Sequence, residues 1–173
     1  MTSGDLLIVF GAKYLFLAIP AAAFLYFLKQ PASEKKHLLF LSVIALPLAY
    51  AVSRALGYFY YLPRPFVLGN FIPLVPHGPD NGFPSEHALF CAAISAVIYI
   101  SDRKTGTALW LLTVLVGLSR VLTGVHHFTD IYGAMAISAA SVWLAHFECR
   151  KSPKPLFPPS SWKLRRTAPS VPK

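Results

Sequence analysis

Five separated pieces of this 173-residue sequence carry side chains suited to handling a phosphoryl group: Arg64, the run Ser85-Glu86-His87, the pair Ser119-Arg120, His126, and Asp130. An arginine offers a planar, permanently charged fork that matches phosphate oxygens. A serine at the start of a helix, as Ser85 is expected to be after Pro84, presents a hydroxyl beside free backbone N–H groups and favours an anion. His126 and Asp130 are four residues apart, so on a helical turn they face one side. A carboxylate bonded to one ring nitrogen fixes the tautomer and leaves the other nitrogen as base or nucleophile. His87, on a different segment, is available as a general acid for a leaving group. No cluster has the carboxylate count of a Mg²⁺ site, and Cys91 and Cys149 lack the spacing of a metal or redox motif. The residue types therefore support phosphoryl transfer through a histidine, with no metal and no cofactor.

The elements that must position these groups lie in a membrane. The chain is 55% hydrophobic and only 13% charged, with a mean hydropathy of +0.53. A soluble domain is about 25% charged, and a small globule cannot bury this much apolar surface. The pattern predicts an all-α, polytopic transmembrane bundle of five spans: Asp5 to Leu28, Leu38 to Leu62, Ser85 to Ile100, Thr107 to Val125 and Phe128 to Phe147. The third is short for a span of about 20 residues and is expected to extend by a turn. Residues 1–150 read as one transmembrane domain, and 151–173 as a basic, Pro-rich, disordered tail. Tyr58, Tyr60 and Tyr61 fit an interfacial aromatic belt.

With five spans, twelve of the sixteen Lys and Arg fall on one side, between spans one and two, between three and four, and in the tail. The bias of cytoplasmic loops toward Lys and Arg then puts the N-terminus outside and the C-terminus in the cytoplasm. The net charge of +9 needs no nucleic acid to explain it, since no nucleic-acid-binding motif is present. In this topology the five pieces all reach the outer face. Ionisable groups at such depth are costly unless paired or facing a watery cavity, so their convergence reads as a site.

The spacing Arg64-Pro65, then Pro84-Ser85-Glu86-His87, then Ser119-Arg120-x5-His126-x3-Asp130 resembles the three-part signature of the type 2 phosphatidic acid phosphatase superfamily. The stretch Pro63-Arg64-Pro65-Phe66, with His77, Asn81 and Phe83 to His87, is similar more narrowly to the bacitracin-resistance-type undecaprenyl diphosphate phosphatases. The resemblance implies His126 as the nucleophile at phosphorus, assisted by Asp130, and His87 as the acid for the leaving group. Arg64, Ser85 and Arg120 would bind phosphate, and His77 and Asn81 would contact a distal phosphate or shape the loop. It implies a bacterial inner-membrane enzyme, its site facing the periplasm or exterior, with a polyprenyl diphosphate in the bilayer as substrate. Phosphatases of phosphatidic acid, phosphatidylglycerophosphate or lipid A share the signature. A vanadate-dependent haloperoxidase or a non-catalytic lipid carrier fits less well.

Two positions depart from that signature. The family's first motif has a Lys seven residues before the Arg, where this chain has Gly57; Arg54 or Lys13 is expected to supply that charge. Glu86 stands where the broader family has Gly, and an anion there must point away or pair with a base.

Overall fold

The computed structural model describes residues 2–151. The tail expected over 151–173 lies outside the described residues, apart from the helical backbone of Lys151. Seven helices follow one another: α1 (Ser3–Phe10), α2 (Phe16–Leu28), α3 (Ala32–Phe59), α4 (Pro65–Leu68), α5 (Glu86–Ser101), α6 (Arg103–Leu122) and α7 (Phe128–Lys151). A π-helical turn, Gly11–Leu15, joins α1 to α2 without a break. Four runs, Ser3–Leu28, α3, α6 and α7, are long and apolar enough to cross a membrane, and α5 is a shorter apolar helix. The protein is a multi-pass membrane protein.

The helices outrun the apolar stretches because hydropathy marks the hydrocarbon slab, whereas helix ends are set by caps. Thr2 starts α1 through a capping box with Asp5. Pro31 precedes α3, so the polar turn from Ser33 to His37 is already helical, two turns before the expected start at Leu38. At the other end α3 stops at Phe59 rather than Leu62. Beyond α6, Gly124 takes φ +78, a left-handed conformation that glycine favours, and turns the chain back toward α7.

The expected lengthening of α5 does not occur. It keeps 16 residues, about 24 Å at 1.5 Å per residue, and ends where extended Asp102 caps the N-terminus of α6 through Lys104 N–H at 3.0 Å. The reason is its position. α5 packs against α2, α3, α6 and α7, and Ala88, Ala92, Ala93, Ser95 and Ala96 are buried along it. Such small residues let neighbouring backbones approach closely. Polar ties reinforce the packing: Ser95 and Thr113 hydroxyls meet at 3.0 Å, and Ser138 Oγ donates to the Leu89 carbonyl at 2.8 Å. A helix walled by protein need not span the full hydrocarbon layer. By contrast Leu7, Val43, Leu111 and Trp143 are well exposed on the other helices and form the lipid-facing surface.

The α5–α6 hairpin is closely packed at Gly106, where an added Cβ would clash with the backbone of Tyr99. Gly106→Leu should therefore force the hairpin apart at a cost of about 1–3 kcal/mol. Thermal unfolding in detergent is expected to show a lower midpoint; an unchanged one would contradict this packing.

Candidate active site

The segment between α3 and α5 folds back over the ends of α6 and α7 and carries Arg64 into the protein. Arg64 is 5% exposed. Its Nε donates to Asp80 Oδ1 at 2.7 Å, Nη1 donates to the Val125 carbonyl at 2.8 Å and lies 3.3 Å from His126 Nε2, and Nη2 donates to the Asn81 carbonyl at 3.4 Å. The guanidinium is thus locked from one side by the loop and aimed at the histidine from the other.

His126 sits in the short turn between α6 and α7, and Asp130 is in the first turn of α7. His126 Nδ1 is 3.1 Å from Asp130 Oδ2, and the same oxygen accepts the His127 N–H at 2.8 Å. With Asp130 fully buried, this pairing makes Nδ1 the protonated nitrogen and leaves the Nε2 lone pair toward Arg64. Burial lowers the His126 pKa below its ordinary 6.5, and the charges of Arg64 and Arg120 push the same way. The Asp130 hydrogen bond and charge oppose them. The imidazole is therefore neutral over a wider acid range than a free histidine.

Ser85 caps α5 but forms no capping bond with its side chain; its own N–H donates to the Asp130 carbonyl at 3.2 Å. Its hydroxyl is buried and without a partner, as is Arg120 Nε. Arg120 reaches back to the π-helical turn, where Nη1 donates to the Ala12 carbonyl at 3.5 Å. Gly11 allows this approach, since a Cβ there would meet Ser119 Oγ at 2.5 Å. His87 packs edge-on against Phe16, with ring centroids 4.7 Å apart. Its ionisable neighbours are Arg120, His126 and His77.

An open, polar cavity of about 660 Å³ is lined by Arg64, His77, Asp80, His126, Arg54 and Glu86, among others. Ser85, Arg120 and His87 do not line it. Tyr58 and Tyr61, expected in an aromatic belt, are exposed but form part of this cavity wall. Arg54 and Glu86 pair loosely at 4.0 Å on the rim, so the unexpected acid does have a base. Gly57 is held against the loop, and a Cβ there would lie 3.0 Å from the Phe83 carbonyl. Lys13 is exposed and does not line the cavity, whereas Arg54 does.

Asn81 shapes the loop. Its side-chain oxygen accepts from Leu62 and Phe83 N–H, and its amide donates to the Gly57 and Tyr60 carbonyls. That uses both protons and both lone pairs, leaving nothing for a distal phosphate. His77 lies over His126, ring centroids 6.3 Å apart, with Nδ1 3.7 Å from Asp80. Asp80 was not among the expected site residues, although it is the lone acid between Arg64 and Glu86 in the sequence. Its pKa is lowered first by the Arg64 hydrogen bond. Among the described residues no three His, Cys, Asp or Glu side chains converge as metal ligands.

Comparison with known proteins bears on the family and the fold. The family profile described as PAP2 superfamily matches residues 36–150. Undecaprenyl-diphosphatase BcrC of Bacillus subtilis (strain 168) is 28% identical over 134 residues, covering 78% of this chain and 69% of that protein. The crystal structure of LpxE from Aquifex aeolicus superposes with a TM-score of 0.67 at 21% identity, covering 83% of this chain and 85% of that one. A PAP2-type phosphatidylglycerolphosphate phosphatase from Bacillus subtilis gives 0.55 at 23% identity, covering 85% and 75%. At these identities the two structures speak to the fold.

Titration of ¹⁵N-histidine-labelled protein should find the His126 imidazole changing charge below pH 6.5. Asp130→Asn, which removes the carboxylate that raises the pKa, should move it lower still. A shift upward would show that Asp130 does not hold the ring as described.

Proposed function

This chain is a member of the PAP2 superfamily, and on that footing we propose that it is an integral membrane phosphatase of lipid diphosphates, converting undecaprenyl diphosphate to undecaprenyl phosphate. The observation that carries the reading is His126, held through Nδ1 by a buried carboxylate while Nε2 faces a clamped arginine in a polar cavity. Two buried donors without partners, Ser85 Oγ and Arg120 Nε, lie outside the cavity lining and support it if the phosphoryl group seats deeper than the cavity itself. An orphaned buried donor costs about 1–3 kcal/mol, and a phosphoryl oxygen satisfies such groups.

In this reading His126 Nε2 attacks the terminal phosphorus, and Arg64 turns its Nη1 hydrogens from the ring to an equatorial oxygen. The N–P bond forms as the P–O bond to the lipid monophosphate breaks, and His87 gives its proton to the departing oxygen. Asp130 steadies the Nδ1–H as positive charge grows on the ring. Water then attacks the phosphohistidine, His87 takes a proton from it, and inorganic phosphate leaves. Arg64, Arg120 and Ser85 bear the charge on the equatorial oxygens throughout. Arg54, with His77 nearby, provides for the second phosphate. The charge bias of the sequence supports a site facing outside the bacterial inner membrane, where the product returns to cell-wall synthesis and its supply gives tolerance of bacitracin. The domain is residues 1–150.

Purified protein should release phosphate from undecaprenyl diphosphate in EDTA, faster than from phosphatidic acid or phosphatidylglycerophosphate. His126→Ala should lose about a thousandfold or more of that rate, as for removal of a nucleophile in other covalent mechanisms. Preference for a monophosphate lipid would reassign the substrate, and an active His126→Ala would refute the mechanism. Arg54→Ala should raise KM for the diphosphate, with Arg54→Lys restoring it; an unchanged KM would remove Arg54 from the phosphate site.

A further inference from the structure

A lipid diphosphate has a chain as well as a head, and among the described residues two apolar hollows offer room for it. One, of about 620 Å³, lies under the loop and is lined by Phe71, Leu74, Leu122, Phe128 and His126. The other, of about 290 Å³, is enclosed by α2, α3 and α5 at Phe24, Phe27, Leu39, Ser42 and Ile94. In-line displacement sends the leaving group away from the attacking nitrogen. The hollow with His126 in its wall therefore lies on the wrong side of the phosphorus.

Two antiparallel helix stripes lead from the polar cavity to the second hollow. On α5, Glu86 lines the cavity, Phe90 one turn on is 44% exposed, and Ile94 and Val97 line the hollow. On α3, Arg54 lines the cavity, Tyr50 and Leu46 follow at four-residue steps, and Ser42 and Leu38 line the hollow. Positions four apart are neighbours on a helix surface, and at 3.6 residues per turn each such step rotates by about 40°, so each stripe is a ridge that winds round its helix as it runs from the cavity to the hollow. The Arg54–Glu86 pair bridges the two tracks at their polar end. From Glu86 to Ile94 is eight residues, about 12 Å along the axis. The inner end opens onto the lipid-facing surface, where Leu39 and Phe24 are more than half exposed.

Resting on the reading of the site as a lipid phosphatase, we propose that the groove between α3 and α5 seats the hydrocarbon chain of the substrate. The ionic head occupies the cavity, the first isoprene units pass between Tyr50 and Phe90, and the chain continues into the hollow at Ile94 and Leu39. The first part of the chain is thus bound by protein and the remainder runs into the bilayer. This makes chain length a determinant of turnover: a one-unit chain stops near Phe90, whereas a three-unit chain enters the hollow.

The test compares dimethylallyl diphosphate, with one isoprene unit, and farnesyl diphosphate, with three. Filling the hollow by Ile94→Trp should lower the farnesyl-to-dimethylallyl ratio of kcat/KM about tenfold or more, and a ratio within roughly twofold of wild type would overturn the proposal. Should that variant fail to fold, photolabelling answers the same question. A farnesyl diphosphate analogue carrying a diazirine on its third unit would be irradiated with the full-length His126→Ala protein in detergent. Labels between Leu38 and Tyr50, between Phe90 and Ile98, or between Pro20 and Phe27 on the α2 wall of the hollow are expected; labels between Phe71 and Leu74 or Leu122 and Phe128, or none, overturn it. Labelling needs no turnover, so the two readings fail separately. Labels on the track without phosphate release from any lipid diphosphate would refute only the function, and release with labels elsewhere would refute only the groove.

Discussion

The Arg64 guanidinium organises the site. A charge at 5% exposure is tolerable only when its donors are met, and here they are shared among Asp80, Asn81, Val125 and His126. Those partners belong to the loop and to the turn between α6 and α7, so one side chain ties together segments about sixty residues apart. His127 Nε2, 3.0 Å from the Pro63 carbonyl, adds a second tie between the same segments. The loop thus needs little secondary structure of its own beyond one turn of helix. Its order comes from polar bonds, several of them to groups that are buried, among them the Val125 carbonyl and His126.

Much of this was legible in the sequence because it depends on residue type. Low charge and apolar runs imply a helix bundle in a membrane, and the bundle follows. The placement of Arg64, His126 and Asp130 at one end came from spans and spacing, since successive spans alternate in direction and bring these residues to the same face. What was hidden depends on three-dimensional context. The brevity of α5 suggested a missing turn; its small residues, Ala88 to Ala96, were the better sign, since they mark a helix enclosed by others. Asp80 was overlooked because a loop aspartate has no periodicity to betray it. Asn81 looked equally able to touch a ligand or shape the chain, and only its four bonds to backbone decide for the second.

The departures at Gly57 and Glu86 make sense together. With Gly57 pressed against the Phe83 carbonyl, a long side chain at that position would displace the loop that Asn81 holds. A cation one turn earlier, Arg54, meets the cavity without that clash, and Glu86 across the rim keeps it there. Both partners of this pair are well exposed, so the ion pair itself is weak and readily gives way to a more highly charged anion.

The shortness of α5 has a consequence for depth. At about 24 Å it falls some 6 Å short of a hydrocarbon layer about 30 Å thick, while α3 and α7 beside it run to 28 and 24 residues. The taller neighbours prevent the bilayer from thinning to match, and Glu86 at the start of α5 pairs with Arg54, five residues before the end of α3, so at this end the deficit forms a recess between the helices. An ionic group bound over the first turn of α5 must sink below its neighbours' headgroups, and water must follow it down.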